Sequence, residues 1–205
     1  MTLPPAIVFD WTGEGDPAFL RDREWLVTNG LGGYASGTLL GIGTRRYHGL
    51  FVPNLVAPKG RHVMIARFDE EILLADRVVH LGGAEFLDGR LETDVHRCLR
   101  RFTLEALMPT WRFQIGEHVI EKTIVMPEYQ NTVCVRYRLV EGSGLRLRLR
   151  PFAAFRRQDA VLEHHDDWPF VFTYARGRHE LRRSDGDLAL RFGLQAANGV
   201  FVCDE

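Results

Sequence analysis

Apolar residues alternate with polar ones in short runs along almost the whole chain, and glycine, proline, asparagine or aspartate breaks each run. No segment sustains a helical apolar period for long. A chain of this kind can bury its apolar side chains only by pairing strands into sheets and closing one sheet on another.

The individual strands can be read off. Trp111 to Ile115 and His118 to Met126 flank Gly116-Glu117, whose leading glycine suits a type II′ hairpin, and Pro127 ends the second strand. From Thr132 to Val140, Val133, Val135, Tyr137 and Leu139 fall on one face and Cys134, Arg136 and Arg138 on the other. Gly142-Ser143-Gly144 then turns the chain into Leu145 to Pro151. Phe170 to Tyr174, His179 to Arg183 and Leu188 to Leu194 read as three more strands, separated by Arg176-Gly177 and by Asp185-Gly186-Asp187, and Val200 to Cys203 begins another. The one helical signal is Asp16 to Arg23, with Pro17 tolerated at its start. The expected fold is all-β: a large antiparallel two-sheet β-sandwich of the supersandwich type. At 205 residues it is read as a single domain over residues 1–205, a size all-β domains reach without dividing.

Charge excludes some partners. With 26 Lys+Arg against 27 Asp+Glu the net charge is -1, so no long-range field favours nucleic acid or an anionic membrane. The arginine-rich run from Leu145 to Arg150 alternates leucine with arginine, which reads as a solvated sheet face rather than a phosphate-binding stripe. Cys98, Cys134 and Cys203 are far apart and form no C-x-x-C pair, so they outline neither a zinc site nor a disulfide framework. The first residues lack a secretory signal, no apolar run approaches the ~18 residues of a membrane helix, and a cytoplasmic location is expected.

The segment with most chemistry is Glu24 to Leu50, EWLVTNGLGGYASGTLLGIGTRRYHGL. Glycines let its backbone turn tightly or approach a surface closely. Asn29, Gly32, Gly33, Tyr34, Arg45, Arg46, Tyr47 and His48 are the candidate substrate-binding or domain-interface residues. Aromatic rings pack on the C–H face of a pyranose while Arg, Asn and His satisfy hydroxyls. The plainer reading also stands: glycines for turns between strands, and a histidine for packing. A dinucleotide fingerprint fails because Ala35 occupies the third glycine position, and no Gly-Lys-Ser/Thr follows for a phosphate loop. His164-His165-Asp166-Asp167 reads as a polar loop, since neighbouring side chains diverge and no distant ligand pattern matches. Asp69-Glu70-Glu71 reads as a turn and the start of a strand, and no pair of carboxylates is nominated for glycoside hydrolysis. No catalytic residue, metal or cofactor is therefore expected.

EWLVTNGLGGYASGT from Glu24 to Thr38, together with TRRYHGL from Thr44 to Leu50, resembles the N-terminal domain of bacterial and archaeal glycogen-debranching enzymes of the amylo-α-1,6-glucosidase type. The likeness extends more loosely through Asn131-Thr132-Val133 and Leu149-Arg150-Pro151-Phe152 to Arg156. It implies a non-catalytic β-sandwich that precedes an (α/α)6 barrel, whose carboxylates hydrolyse the α-1,6 branch glucose. The helices of such a barrel need far more chain than is present here. The implied partners are an α-glucan, glycogen or maltooligosaccharide, and the catalytic barrel of the parent glycoside hydrolase. After Pro151 the family tends towards an Arg-Asp-Tyr-His-like element, where this chain reads Phe155-Arg156-Arg157-Gln158-Asp159.

Two other functions remain open. One is a stand-alone glucan-binding module. The other is an epimerase-like sugar enzyme using His48 or His96 with a glutamate such as Glu70.

Overall fold

The computed structural model describes residues 6–160, 170–184, 186–196 and 198–202. The chain packs as two compact units, Met1–Leu162 and Glu163–Glu205.

The first unit begins with β1 (Ile7–Asp10), α1 (Pro17–Arg21), β2 (Glu24–Thr28), β3 (Tyr34–Thr38) and β4 (Gly49–Val52). Next come β5 (Asn54–Leu55), the long β6 (Gly60–Leu73), β7 (Val78–His80) and the one-turn α2 (Val95–Cys98). The remaining strands of this unit are β8 (Leu99–Glu105), β9 (Met108–Ile115), β10 (His118–Val125), β11 (Cys134–Glu141) and β12 (Arg146–Arg157). Two antiparallel sheets result, one in the order β1-β8-β9-β10-β11 and one in the order β12-β6-β4-β3-β2, with β5 and β7 also on β6.

Alternation explains why the two sheets close on each other. In β9, Trp111, Phe113 and Ile115 are buried while Thr110, Arg112 and Gln114 between them are not. Trp111 meets Trp25 of the opposite sheet edge to face at 5.3 Å between ring centres. Its indole N–H donates to the Leu39 carbonyl at 3.3 Å, so the ring is buried without an orphaned donor. On the outer face Glu121 of β10 lies opposite Arg112 on one neighbour and Arg138 on the other, and pairs with both. The arginines of the Leu145 to Arg150 run are exposed as expected, and Arg148 and Arg150 both pair with Glu71 of β6.

Local signals hold at several turns. Gly116 takes φ +60, as a primed hairpin turn requires. Asp16 caps α1 by accepting from the Ala18 N–H at 2.9 Å, with Pro17 in the first turn.

The structure corrects three expectations. Glu70 and Glu71 sit inside β6, 2% and 8% exposed, because Lys122 and the β12 arginines supply counter-charges that no local sequence signal announces. β12 runs through Pro151 to Arg157; it is the outermost strand of its sheet, where a missing N–H is tolerated. Residues 200–202 are not in a strand.

The second unit contains a three-stranded antiparallel meander: β13 (Phe170–Ala175), β14 (Arg178–Arg183) and β15 (Ala189–Phe192). Arg176 and Gly177 both take positive φ, +52 and +74, which makes the first turn a tight primed hairpin. Phe172, His179 and Phe201 stack on one face. The His164 to Asp167 segment lies outside the described residues.

Candidate functional site

β2 and β3 pair along their whole length, Glu24 opposite Thr38 and Thr28 opposite Tyr34, so the chain between them must reverse within Asn29 to Gly33. Asn29 makes that reversal possible. Fully buried, its Oδ1 accepts from the N–H groups of Leu31 and Gly33, both at 3.0 Å, while its Nδ2 donates to the Gln130 carbonyl at 2.8 Å and to Asn131 Oδ1 at 3.1 Å. Gly32 takes φ +84, and a Cβ on Gly33 would lie 2.9 Å from the Asn29 amide. Asn29 is thus a brace inside the turn.

The loop between β3 and β4 brings the second half of the motif to the same edge. The Tyr34 hydroxyl donates to the Tyr47 carbonyl at 2.7 Å and lies 3.1 Å from the Gln158 side-chain oxygen. Arg45 is exposed and pairs with Glu24. Arg46 reaches the Asp159 carbonyl at 3.3 Å, and its own carbonyl accepts from Arg156. Tyr47 is 48% exposed.

His48 is buried, with Nδ1 accepting from the Thr44 N–H at 3.1 Å and Nε2 3.7 Å from Glu24 Oε1. Burial pushes its pKa below the ordinary 6.5; the Glu24 carboxylate opposes that shift and Arg45 adds to it. The imidazole is therefore neutral at pH 7, with its proton on Nε2.

These elements enclose a groove of about 500 Å³. Gly32, Gly33, Tyr34, Tyr47 and His48 line it, whereas Asn29, Arg45 and Arg46 do not. Glu24, Leu26, Arg61, Gln158 and Asp159 complete the walls. Sequence reasoning did not single these out as site residues. Arg61 opens β6 with no motif around it, and Gln158-Asp159 was visible only as a departure from the family pattern. Arg61 donates to the Gly32 carbonyl, which joins the far wall to the glycine turn.

Two carboxylates border the groove, Glu24 and Asp159. Arg45 pairs with Glu24. Arg157 holds the Asp159 pKa below the usual carboxylate value, the opposite of what a general acid needs.

Glu70 sits inside the sandwich against Lys122, beside a cavity of about 50 Å³ that His48 also borders. That space is large enough for water but not for a sugar ring. His96 stands on α2, where its carbonyl accepts from the Trp11 indole at 2.7 Å. Among the described residues no three His, Cys, Asp or Glu side chains cluster as metal ligands, and no helix is long and apolar enough to cross a membrane.

Comparison with curated proteins and with solved structures gives no match. The model of the family described as glycogen debranching enzyme N terminal matches residues 23–203, a span that takes in the glycine turn, the Arg-Tyr-His loop and every strand of the sandwich except β1. The chain belongs to the family of glycogen debranching enzyme N-terminal domains.

Proposed function

We propose that this domain serves a glycogen-debranching α-1,6-glucosidase. It braces the catalytic barrel of that enzyme and lends the groove between Tyr34 and Tyr47 to the glucan cleft, in the cytoplasm.

The observation that carries this reading is the composition of the groove wall. Exposed Tyr47 and half-buried Tyr34 offer aromatic surface, and Glu24, neutral His48, Arg61 and Gln158 place hydrogen-bonding groups around it. Sugars take that combination, because a pyranose presents an apolar C–H face bordered by hydroxyls. Asp159, kept ionised by Arg157, fits a binding role, and in this reading hydrolysis belongs to the barrel.

Titration of the isolated chain with maltooligosaccharides and glycogen tests the glucan contact. Saturable binding in the roughly millimolar range, about −4 kcal/mol, is expected, and Tyr47→Ala is expected to remove it. Silence with every glucan overturns the glucan contact and leaves the bracing role alone. A second reading, a stand-alone glucan-binding module, draws on the same groove lining. Micromolar affinity without any barrel, about −8 kcal/mol, would select it.

A further inference from the structure

Tyr129, in the loop between β10 and β11, joins an uncommon backbone conformation to an exposed aromatic ring. Its φ is +59, the left-handed region that L side chains seldom adopt, yet the residue is 73% exposed. Core packing does not compensate for the strained backbone. A strained backbone that its surroundings enforce holds the side chain above it in one place.

The surroundings do enforce it. The Tyr129 N–H donates to the Asn29 carbonyl at 2.7 Å, and the Asn29 side chain holds the next two residues through the Gln130 carbonyl and Asn131 Oδ1. Asn131 in turn donates to the Asn54 carbonyl at 3.2 Å, and Asn54 donates to the Leu31 carbonyl at 2.9 Å. The ring leans on Gly30, where an added Cβ would sit 3.4 Å from the tyrosine Cε1. Gly30 itself takes φ +74 and lies two residues before Gly32, which lines the groove. One hydrogen-bonded assembly therefore links Tyr129 to the groove edge.

We infer that Tyr129 is a stacking platform for one more glucosyl unit of an α-glucan whose neighbouring units occupy the Tyr34–Tyr47 groove. This rests on the glucan role proposed for that groove. The chemistry is that of a neutral pyranose: the ring offers an apolar face with a hydroxyl at its rim. It also gives the buried Asn29 a second purpose, since the brace that shapes the glycine turn is the one that holds the platform beside it.

The test compares maltotriose with maltoheptaose on the full chain, using the native protein, Tyr129→Phe and Tyr129→Gly. The native protein prefers the longer glucan; Tyr129→Phe keeps that preference; Tyr129→Gly lowers the maltoheptaose-to-maltotriose affinity ratio by about five- to tenfold. Because glycine adopts positive φ freely, Tyr129→Gly is expected to melt no lower than the native protein. An unchanged ratio in Tyr129→Gly overturns the inference while leaving the groove in place, and a marked drop in melting temperature assigns the ring to packing and overturns it too. If the native protein binds neither oligosaccharide, the platform and the glucan role of the groove both fall.

Discussion

The Lys122 ammonium, carried on β10, meets the Glu70 carboxylate, carried on β6, between the two sheets of the sandwich. Glu70 is 2% exposed, and the same ammonium lies 5.3 Å from the centre of the Trp111 ring. The adjacent Tyr137 hydroxyl is buried, and its pKa is raised well above 10, first by burial and then by Glu70, so it stays a neutral phenol. Removing two charges from water offsets much of what their attraction contributes, so the pair is poor evidence of net stabilisation.

Breaking the pair is another matter. Lys122→Met leaves the Glu70 charge buried without a partner and should destabilise the protein by about 3–5 kcal/mol in urea unfolding. Adding Glu70→Leu should recover most of the loss. A single-variant loss below about 1 kcal/mol would mean that water already reaches the pair.

Asn29→Ala removes both acceptor bonds inside the glycine turn and both donor bonds to the 130–131 loop. The expected loss is about 2–4 kcal/mol, since buried backbone N–H groups are left without partners. Asn29→Asp keeps the acceptor but not the donors and should fall between the two. Equal stability of all three proteins by denaturant titration would contradict the bracing role.

His48 sets a pH dependence with a definite sign. Its folded pKa lies below 6.5, through burial first and Arg45 as a lesser cause, so below pH 6.5 the unfolded chain binds more protons than the folded one. Stability from this group is full above pH 6.5 and declines as pH falls from there towards the folded pKa. His96 is shifted the same way, by burial and then Arg97. Melting temperatures between pH 7.5 and pH 5 should fall less steeply in His48→Gln, and less steeply still when His96→Gln is added; identical slopes would refute this assignment.

Cys98 is buried on α2, and burial pushes its thiol pKa up to about 12, whereas Cys134 is exposed. A thiol-disulfide reagent at pH 8 should modify Cys134 in the native protein and reach Cys98 only on unfolding, because the thiolate is the reactive form. Native-state labelling of Cys98, read by peptide mass mapping, would show that α2 opens readily.

Strands whose burial alternates residue by residue were legible in the sequence, as at Trp111 to Ile115, because each carries its own record of which face is inside. Glu70 and Glu71 were not, because a buried carboxylate in mid-strand depends on a cation elsewhere in the chain: 52 residues away for Lys122 and 77 for Arg148. At the site, Tyr34, Tyr47 and His48 could be named from the motif, since ring, donor and glycine stand together in it. Arg45 and Arg46, expected at the substrate or domain interface, engage Glu24 and the Asp159 carbonyl, partners that their motif does not announce. The walls formed by Arg61, Gln158 and Asp159 arrive through pairing of distant strands, which no local pattern encodes.

The Arg156 guanidinium gathers the Arg46 carbonyl together with the carbonyls of Arg157, Gln158 and Ala160. The farthest of those partners lies 110 residues from Arg156 in the sequence. During synthesis the glycine motif leaves the ribosome early and waits, with one wall missing, until the end of β12 has followed it out. Long-range closure of this kind is slow, because the intervening chain must be ordered before the contacts form. The shape of the groove thus hangs on one guanidinium that ties the end of β12 to the Arg-Tyr-His loop.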